Sequence, residues 1–459
     1  MIRALLDRFL STRSPRRREI PGASLGLSPA QISDNARRVC DRLFEAGFEA
    51  YIVGGAVRDA LLGRQPKDFD VVTDAKPEQI KRLFRRAFII GRRFRLVHVI
   101  MGEETIEVST FRAHRAEDIE ADETGRIVSD NAYGTQVEDA VRRDFTVNAL
   151  YYDPMQDVVV DYVGALKDLR SRTLRVIGNP DQRYREDPVR MLRAVRLAVK
   201  LDLTIASSAA RAIRRNAVLI RNVPSARLFD EVQKLLLSGY AQKTLATLRE
   251  YGLTEGLLPL LDLIYKQPGG QRFIEVALAN TDERVRQDKP VSPAFLFACL
   301  LWHEVLKRWE TLSASGEHRI PALHRAIEEV LDEQRETITL PQRFAGMTKE
   351  IWLMQPRFEV RTNSSALRLV EQPRFRAAYD FLLLRAAAGE CDQELADWWS
   401  TFIDSDPTVR AELIEQRRRA QALAGRAGHG GRRRRRRSGR GRGRSEAAVS
   451  TEAVGSVDS

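Results

Sequence analysis

Between positions 66 and 74 the chain reads PKDFDVVTD, with Asp68 and Asp70 on either side of a phenylalanine where an apolar stretch begins. Residues two apart in a strand share a face and stand about 6–7 Å apart along it. Carboxylates so placed repel one another and lose hydration unless a cation lies between them. Oxygen donors of this kind suit hard divalent ions such as Mg²⁺. Just upstream, VGGAVRDALLG (53–63) puts Gly54 and Gly55 after an apolar run, with Arg58 following. Adjacent glycines let backbone N–H groups approach a bulky anion, which fits phosphate. The turn is neither a GxxxxGK[ST] loop nor a GxGxxG fingerprint. A glycine pair alone is more often structural; beside Arg58 and the paired aspartates it reads as a phosphate cradle next to a metal centre. Two ions about 3.5–4 Å apart activate a hydroxyl and steady the leaving oxygen of an in-line displacement at phosphorus.

Two later stretches extend this chemistry. In RRDFTVNALYYD (142–153), Asp144 is a candidate third carboxylate for the metals and Arg143 a candidate triphosphate ligand. Glu107, in TIEVSTFR, competes with Asp144 for the third position. In REDPVRMLRAVRLA (185–198), Pro188 suits a first helical turn, where its missing N–H costs nothing. Arg190 and Arg193, three apart, share one face of that helix, while Met191, Ala194, Val195 and Ala198 supply packing surface.

The segments GGAVRDALLG, KDFDVV, RRDFT and EDPVR, in this order, resemble the motifs of the class II nucleotidyltransferases, which include bacterial poly(A) polymerases and tRNA CCA-adding enzymes. The likeness covers about residues 30–240. It implies a template-independent transfer in which Asp68, Asp70 and Asp144 are catalytic and bind two Mg²⁺ ions. Asp144 ranks ahead of Glu107 because the family motif points to it. Gly54, Gly55, Arg58, Arg143, Arg190 and Arg193 would hold the triphosphate. Asp187 and Arg190 resemble residues that read a nucleobase edge, the carboxylate accepting from an amino group and the guanidinium donating to ring acceptors. Within the family, IIGRRFRLVHVIMGEETIEVSTFR (89–112) resembles the bacterial poly(A) polymerases, as do NPDQRYREDPVRMLRAVR and PRFRAAYDFLLLRA. The resemblance therefore implies polyadenylation: AMP from ATP is added to the 3′ ends of mRNA and other RNAs, with pyrophosphate released, in RNA processing and decay. CCA addition to tRNA is the alternative, and a catalytically idle RNA-binding adapter the second. No HD dipeptide occurs, so an additional phosphohydrolase domain is not expected; His303 and Trp302 read as helix packing.

These residues need a sheet to hold them. SPAQISDNARRVCDRLFEAG reads as a helix with a stripe of Ile32, Ala36, Val39, Leu43 and Phe44. EAYIVGG is a strand into a turn, AVRDALLG a short helix, FDVVT a strand, and TDAKPEQIKRLFRR a helix with Pro77 near its start. FRLVHVIMG and TIEVSTFR form an antiparallel hairpin, and residues 114–135 read as a loop. From about Asp187 the texture is helical to about residue 416. The expected fold is α+β: a small mixed-sheet nucleotidyltransferase head, then a helical neck and body, then a disordered basic tail. The expected boundaries are a basic arm over 1–27, the head over 28–175, a nucleobase-binding neck over 176–240, an RNA-binding body over 241–416 and a tail over 417–459.

The chain of 459 residues, with 43% hydrophobic and 30% charged residues, is long enough for more than one core. Three scattered cysteines suggest neither a disulfide framework nor a zinc site, in keeping with a reducing cytoplasm. No apolar run reaches the ~18–20 residues of a membrane span, and MIRALLDRFLSTRSPRRR lacks a signal-peptide core, reading as a frayed terminus rather than a membrane-touching helix. Of the net charge of +12, 13 arginines lie between Arg417 and Arg444 with no acid among them. Gly/Arg runs cannot bury enough apolar surface to fold, and arginine clusters favour phosphate backbones. The tail is thus expected to contact RNA and, as a further candidate role, RNA-decay proteins.

Overall fold

The structure, a computed structural model, describes residues 16–91, 95–113, 119–121, 127–130, 132–267 and 269–420. The expected roles of the first 15 residues and of most of the arginine-rich tail fall outside these residues. The chain divides into two compact units, 1–345 and 346–459.

In the first unit, twelve strands are described: β1 Arg18–Pro21, β2 Ala50–Val53, β3 Asp70–Thr73, β4 Ala87–Ile90, β5 Leu96–Met101, β6 Glu104–Thr110, β7 Ile119–Ala121, β8 Ile127–Asp130, β9 Leu150–Asp153, β10 Val158–Asp161, β11 Thr173–Leu174 and β12 Thr204–Ile205. Eight of them form one sheet in the order β1-β10-β9-β2-β3-β6-β5-β4. Only the β3–β6 pair in it is parallel. That register sets Asp70 beside Glu107 and Val71 beside Val108. Strand β2 is buried along its whole length, as its unbroken apolar run AYIV requires at the centre of a sheet.

One face of the sheet is covered by α1 (Asp34–Glu45), which packs on β2, β3 and β6, and farther along by the short helix α3 (Pro77–Leu83). Between them in sequence lies α2 (Gly55–Leu61). Ser33 caps α1 by accepting from the Asn35 and Ala36 amides, an interaction typically contributing about 1 kcal/mol. The helix buries Ala36, Val39, Cys40 and Leu43. Phe44, placed in the apolar stripe by its type, is instead 55% exposed, because it falls at the margin of the buried arc.

The next helices are α4 (Gln136–Arg142), with a Thr135/Glu138 capping box, α5 (Ala165–Arg170), α6 (Pro180–Glu186), α7 (Val189–Leu201), α8 (Ser207–Asn216) and α9 (Ser225–Leu236). Met191, Ala194, Val195 and Ala198 of α7 are buried, and α7 packs on α9 and on the helix Ala241–Glu250. Helices 293–314 and 319–335 pack together later in this unit. His303 is buried there, with its ring 5.6 Å from that of Phe273.

One expectation is corrected, the loop over 114–135, and two expected boundaries stand beside the following observations. Residues 18–21 of the expected arm form the edge strand β1, paired with β10; four residues, REIP, are too few to display alternation. Residues 114–135 are not wholly loop, since β7 and β8 pair antiparallel; three and four residues are too few to display alternation. The compact units divide at 345/346, within the stretch read as one body, because the helices from 241 onward pack on the neck helices. The second unit has its own core of Phe358, Phe375, Tyr379, Leu382, Trp399 and Phe402, in which the Trp399 indole donates to the Phe358 carbonyl at 3.0 Å.

Candidate active site

At the end of β2 the chain turns through Gly54, whose φ of +72° favours glycine, into α2. A Cβ at Gly54 would stand 3.5 Å from Arg143 Nη1 and 3.6 Å from the Asn148 carbonyl oxygen, so the turn is packed closely against the RRDFT segment. Arg58, 6% exposed, donates to Asn148 Oδ1 at 2.5 Å and pairs with Asp59 at 2.7 Å. Arg143 is anchored from behind by the buried Asp139 at 2.9 Å and by Tyr151 Oη at 3.2 Å. Tyr151 in turn donates to Asp139 at 2.8 Å. Two charge-assisted contacts hold the guanidinium ready for an anion and raise the Arg143 pKa against the opposing effect of burial.

Asp68 and Asp70 flank the buried Phe69, and both residues are exposed, with Asp70 opening β3 and Asp68 in the lead-in before it. Although Asp70 reaches the surface, protein packed around its carboxyl, then Glu107 beside it, push its pKa up to about 6; Arg143 opposes this and Asp68 adds to it. Glu107 owes its place to the parallel pairing of β6 with β3.

Asp144 does not share that environment. One of its oxygens accepts two hydrogen bonds from Arg193, at 2.8 and 2.6 Å. The other accepts from the Phe145 amide at 2.8 Å and from Asn148 Nδ2 at 3.0 Å. Asp144 is partly buried, and although burial alone would raise its pKa, Arg193 and these donors lower it. Both of its oxygens are thus engaged by donors within the protein. Asn148 thus links Arg58 to Asp144, and Asp144 links the head to α7.

On the helical side, Asp187 lies between α6 and α7, accepting from the Val189 amide at 3.2 Å and from Arg227 of α9 at 2.7 Å. Arg190 donates to the Arg183 carbonyl at 2.8 Å and to Glu186 at 3.0 Å. Arg183 donates to the carbonyls of Arg142 and Arg143 at 2.6 and 2.8 Å, stapling α6 to the RRDFT backbone.

A cavity of about 540 Å³ gathers these groups, its lining including Gly54, Gly55, Arg58, Asp70, Arg143, Asp144, Asp187, Arg190 and Arg193. Of the site residues singled out from sequence, Asp68 and the competing Glu107 are outside its lining. Asn148, Arg196, Leu197, Lys200 and Arg227 line it too and were missed. Arg196 and Lys200 had a signal: with Arg193 they continue the i, i+3, i+7 row of α7. Among the described residues no set of three acidic, histidine or cysteine side chains closes into a metal-ligand cluster. Two carboxylates completed by substrate phosphates are nonetheless a usual Mg²⁺ arrangement, and an aspartate whose pKa is raised by burial and then by Glu107 suits it.

Three family patterns match: "Poly A polymerase head domain" over residues 50–175, "Probable RNA and SrmB- binding site of polymerase A" over 202–264, and "Polymerase A arginine-rich C-terminus" over 315–441. Poly(A) polymerase I of Escherichia coli O6:H1 is 43% identical over 434 residues, covering 89% of this chain and 93% of that protein. The chain belongs to the bacterial poly(A) polymerase family. It is accordingly a nucleotidyltransferase, and the expected polyadenylating subfamily is the one found. A CCA-adding enzyme of Bacillus licheniformis is more distant, at 32% identity over 298 residues, with 64% of this chain and 71% of that protein covered. The solved structure of a CCA-adding enzyme in its apo form II shares the fold of this poly(A) polymerase family member with a TM-score of 0.59, at 18% identity over 84% of this chain and 86% of that one.

Proposed function

We infer that this chain extends RNA 3′ ends with AMP from ATP, without a template, using the 540 Å³ cavity as its nucleotide site. The observation that carries the reading is the meeting, in one cavity, of the glycine turn, an anchored Arg143 and the Asp187/Arg190/Arg193 face of α7, with Asp70 at the rim. Gly54, Gly55, Arg58 and Arg143 receive the triphosphate, and Asp187 with Arg190 faces the base. The RNA 3′ hydroxyl gives up its proton, its oxygen bonds to the α-phosphorus, and the α–β phosphoanhydride breaks to release pyrophosphate.

Asp68 and Asp70 are the residues that would hold Mg²⁺, with Glu107 in the third position and Asp144 reassigned to positioning Arg193. Bound Mg²⁺ would supply acidification of the hydroxyl and neutralisation of phosphate charge. The protein's own part is orientation: Arg143 is fixed by Asp139 and Tyr151 before substrate arrives, so little is lost in ordering it. The reaction belongs in the cytoplasm, with Arg432–Arg437 retaining product RNA.

Incubation with Mg²⁺, labelled ATP and a non-tRNA oligoribonucleotide tests this. Long homopolymeric tails support it. Short additions confined to tRNA, with CTP also consumed, would assign CCA addition; RNA binding without incorporation would assign an adapter. Asp70→Asn is expected to abolish extension while preserving the fold.

A further inference from the structure

Beyond the nucleotide cavity, the sheet presents an open row of side chains. Asp70 on β3 is in register with Glu107 on β6, Glu107 with His98 on β5, and His98 with Phe88 on β4, the edge strand. Residues in register point to one face, and strands lie about 4.8 Å apart, so the row spans roughly 14 Å from Asp70 to Phe88. The opposite face of these strands is closed: Ala87, Val97, Val99, Ile106 and Val108 are buried under α1 and α3. On the open face Phe88 is 55% and Ile90 42% exposed, while His98 Nε2 stands 3.8 Å from Glu107 Oε2.

We propose that this row is the path of the RNA primer's 3′ end, with Phe88 stacking on a base two to three nucleotides back from the terminus. The inference rests on the polymerase reading above. In-line displacement requires the attacking oxygen and the leaving pyrophosphate on opposite sides of the α-phosphorus. Every residue lining the nucleotide cavity, Asp70 apart, comes from Gly54 and α2, the 143–148 segment, α7 or its flanks, and α9. No residue of β4, β5 or β6 lines it. The triphosphate therefore occupies the β2 side of Asp70, and the attacking hydroxyl must arrive from the β6 side. Chain leading away from that hydroxyl runs over Glu107 and His98 toward the edge. An exposed aromatic at the end of such a row is the sequence-tolerant platform on which single-stranded nucleic acid stacks, which suits an enzyme that extends many RNAs.

The test uses the full chain and ten-residue oligoadenylates, intact or with one abasic site at each of the last five positions. Extension of the intact primer by the wild-type protein tests the polymerase reading itself, and its absence overturns both inferences. Phe88→Ala is expected to raise the primer KM roughly ten-fold, with the KM for ATP unmoved, and Phe88→Trp to restore it. An abasic site two or three positions from the terminus should raise the wild-type KM comparably yet add little in Phe88→Ala. Ile320→Ala, another exposed apolar truncation, is the control and should leave both constants alone. An unchanged primer KM in Phe88→Ala, or abasic penalties equal in both proteins at every position, overturns the primer path while leaving polymerase activity standing. So does a dimer, seen by sedimentation, that Phe88→Asp dissociates without altering the primer KM, since the face would then serve a second copy.

Discussion

Arg193 and Asp144, 49 residues apart in sequence, meet through two hydrogen bonds of 2.8 and 2.6 Å to one carboxylate oxygen. The contact ties helix α7 to the RRDFT segment and engages a carboxylate that the sequence offers as a metal ligand. Breaking a buried pair leaves an uncompensated charge, at about 3–5 kcal/mol where both groups are enclosed. The Arg193 side chain is 36% exposed, so a smaller cost, about 2 kcal/mol, is expected for Arg193→Ala in urea unfolding. The Arg193→Ala/Asp144→Ala double variant should recover part of that loss, and strict additivity would refute the coupling.

Reassigning the third carboxylate separates two variants by their Mg²⁺ dependence. Glu107→Gln is expected to raise the Mg²⁺ concentration for half-maximal extension at least several-fold. Asp144→Asn should lower activity mainly through nucleotide binding, leaving the Mg²⁺ midpoint near that of the wild type. The reverse pattern in a Mg²⁺ titration would return Asp144 to the metals.

The raised pKa of Asp70, about 6, has a defined sign. The folded protein binds that proton more tightly than the unfolded chain, so the stability linked to it is present below the ordinary aspartate range and is lost as pH rises through about 6. Without divalent cations, Asp70→Asn should therefore raise Tm near pH 8 and leave it little changed below about pH 4. Added Mg²⁺ should stabilise the wild type above about pH 6 and much less below it. Calorimetry across that range decides the point.

Asp187 meets the Arg227 guanidinium at 2.7 Å, so the carboxylate proposed above to face the base is oriented by a residue from α9. A hydrogen bond to a charged group contributes about 1.5–3 kcal/mol. Arg227→Met should lower kcat/KM for ATP roughly ten-fold or more and narrow the preference for ATP over CTP, measured with each nucleotide alone.

Deletion after Gly425 removes ten arginines. The dependence of RNA affinity on salt should flatten by about 0.7 in log–log slope for each phosphate that the shortened chain leaves unneutralised. A slope identical to that of the full chain would show that these arginines do not touch RNA.

Much of the site was legible because its chemistry lies in short segments. The Asp68–Phe69–Asp70 alternation, the glycine turn and the arginines of α7 are each visible in a dozen residues, and Asp70, the turn and those arginines line one cavity. What was not legible depends on pairing at a distance. Glu107 was named from sequence, but its place beside Asp70 comes from a parallel register, and Asn148 gains its standing only from touching Arg58 and Asp144 at once. Arg183 works through backbone carbonyls, which carry no sequence signal. The strands missed, β1, β4 and β7 to β12, have two to four residues each, too short for a period of two to register.

The single parallel pairing in the head has a kinetic consequence. Strands that run the same way need a long crossover, here everything from Asp74 to Glu103, before their first ladder bond can form. A nascent chain emerging from the ribosome thus completes its glycine bend and both early aspartates well before Glu107 can join them. The three carboxylates are brought together late, since a fragment ending ahead of β6 lacks the strand that sets Glu107 beside Asp70.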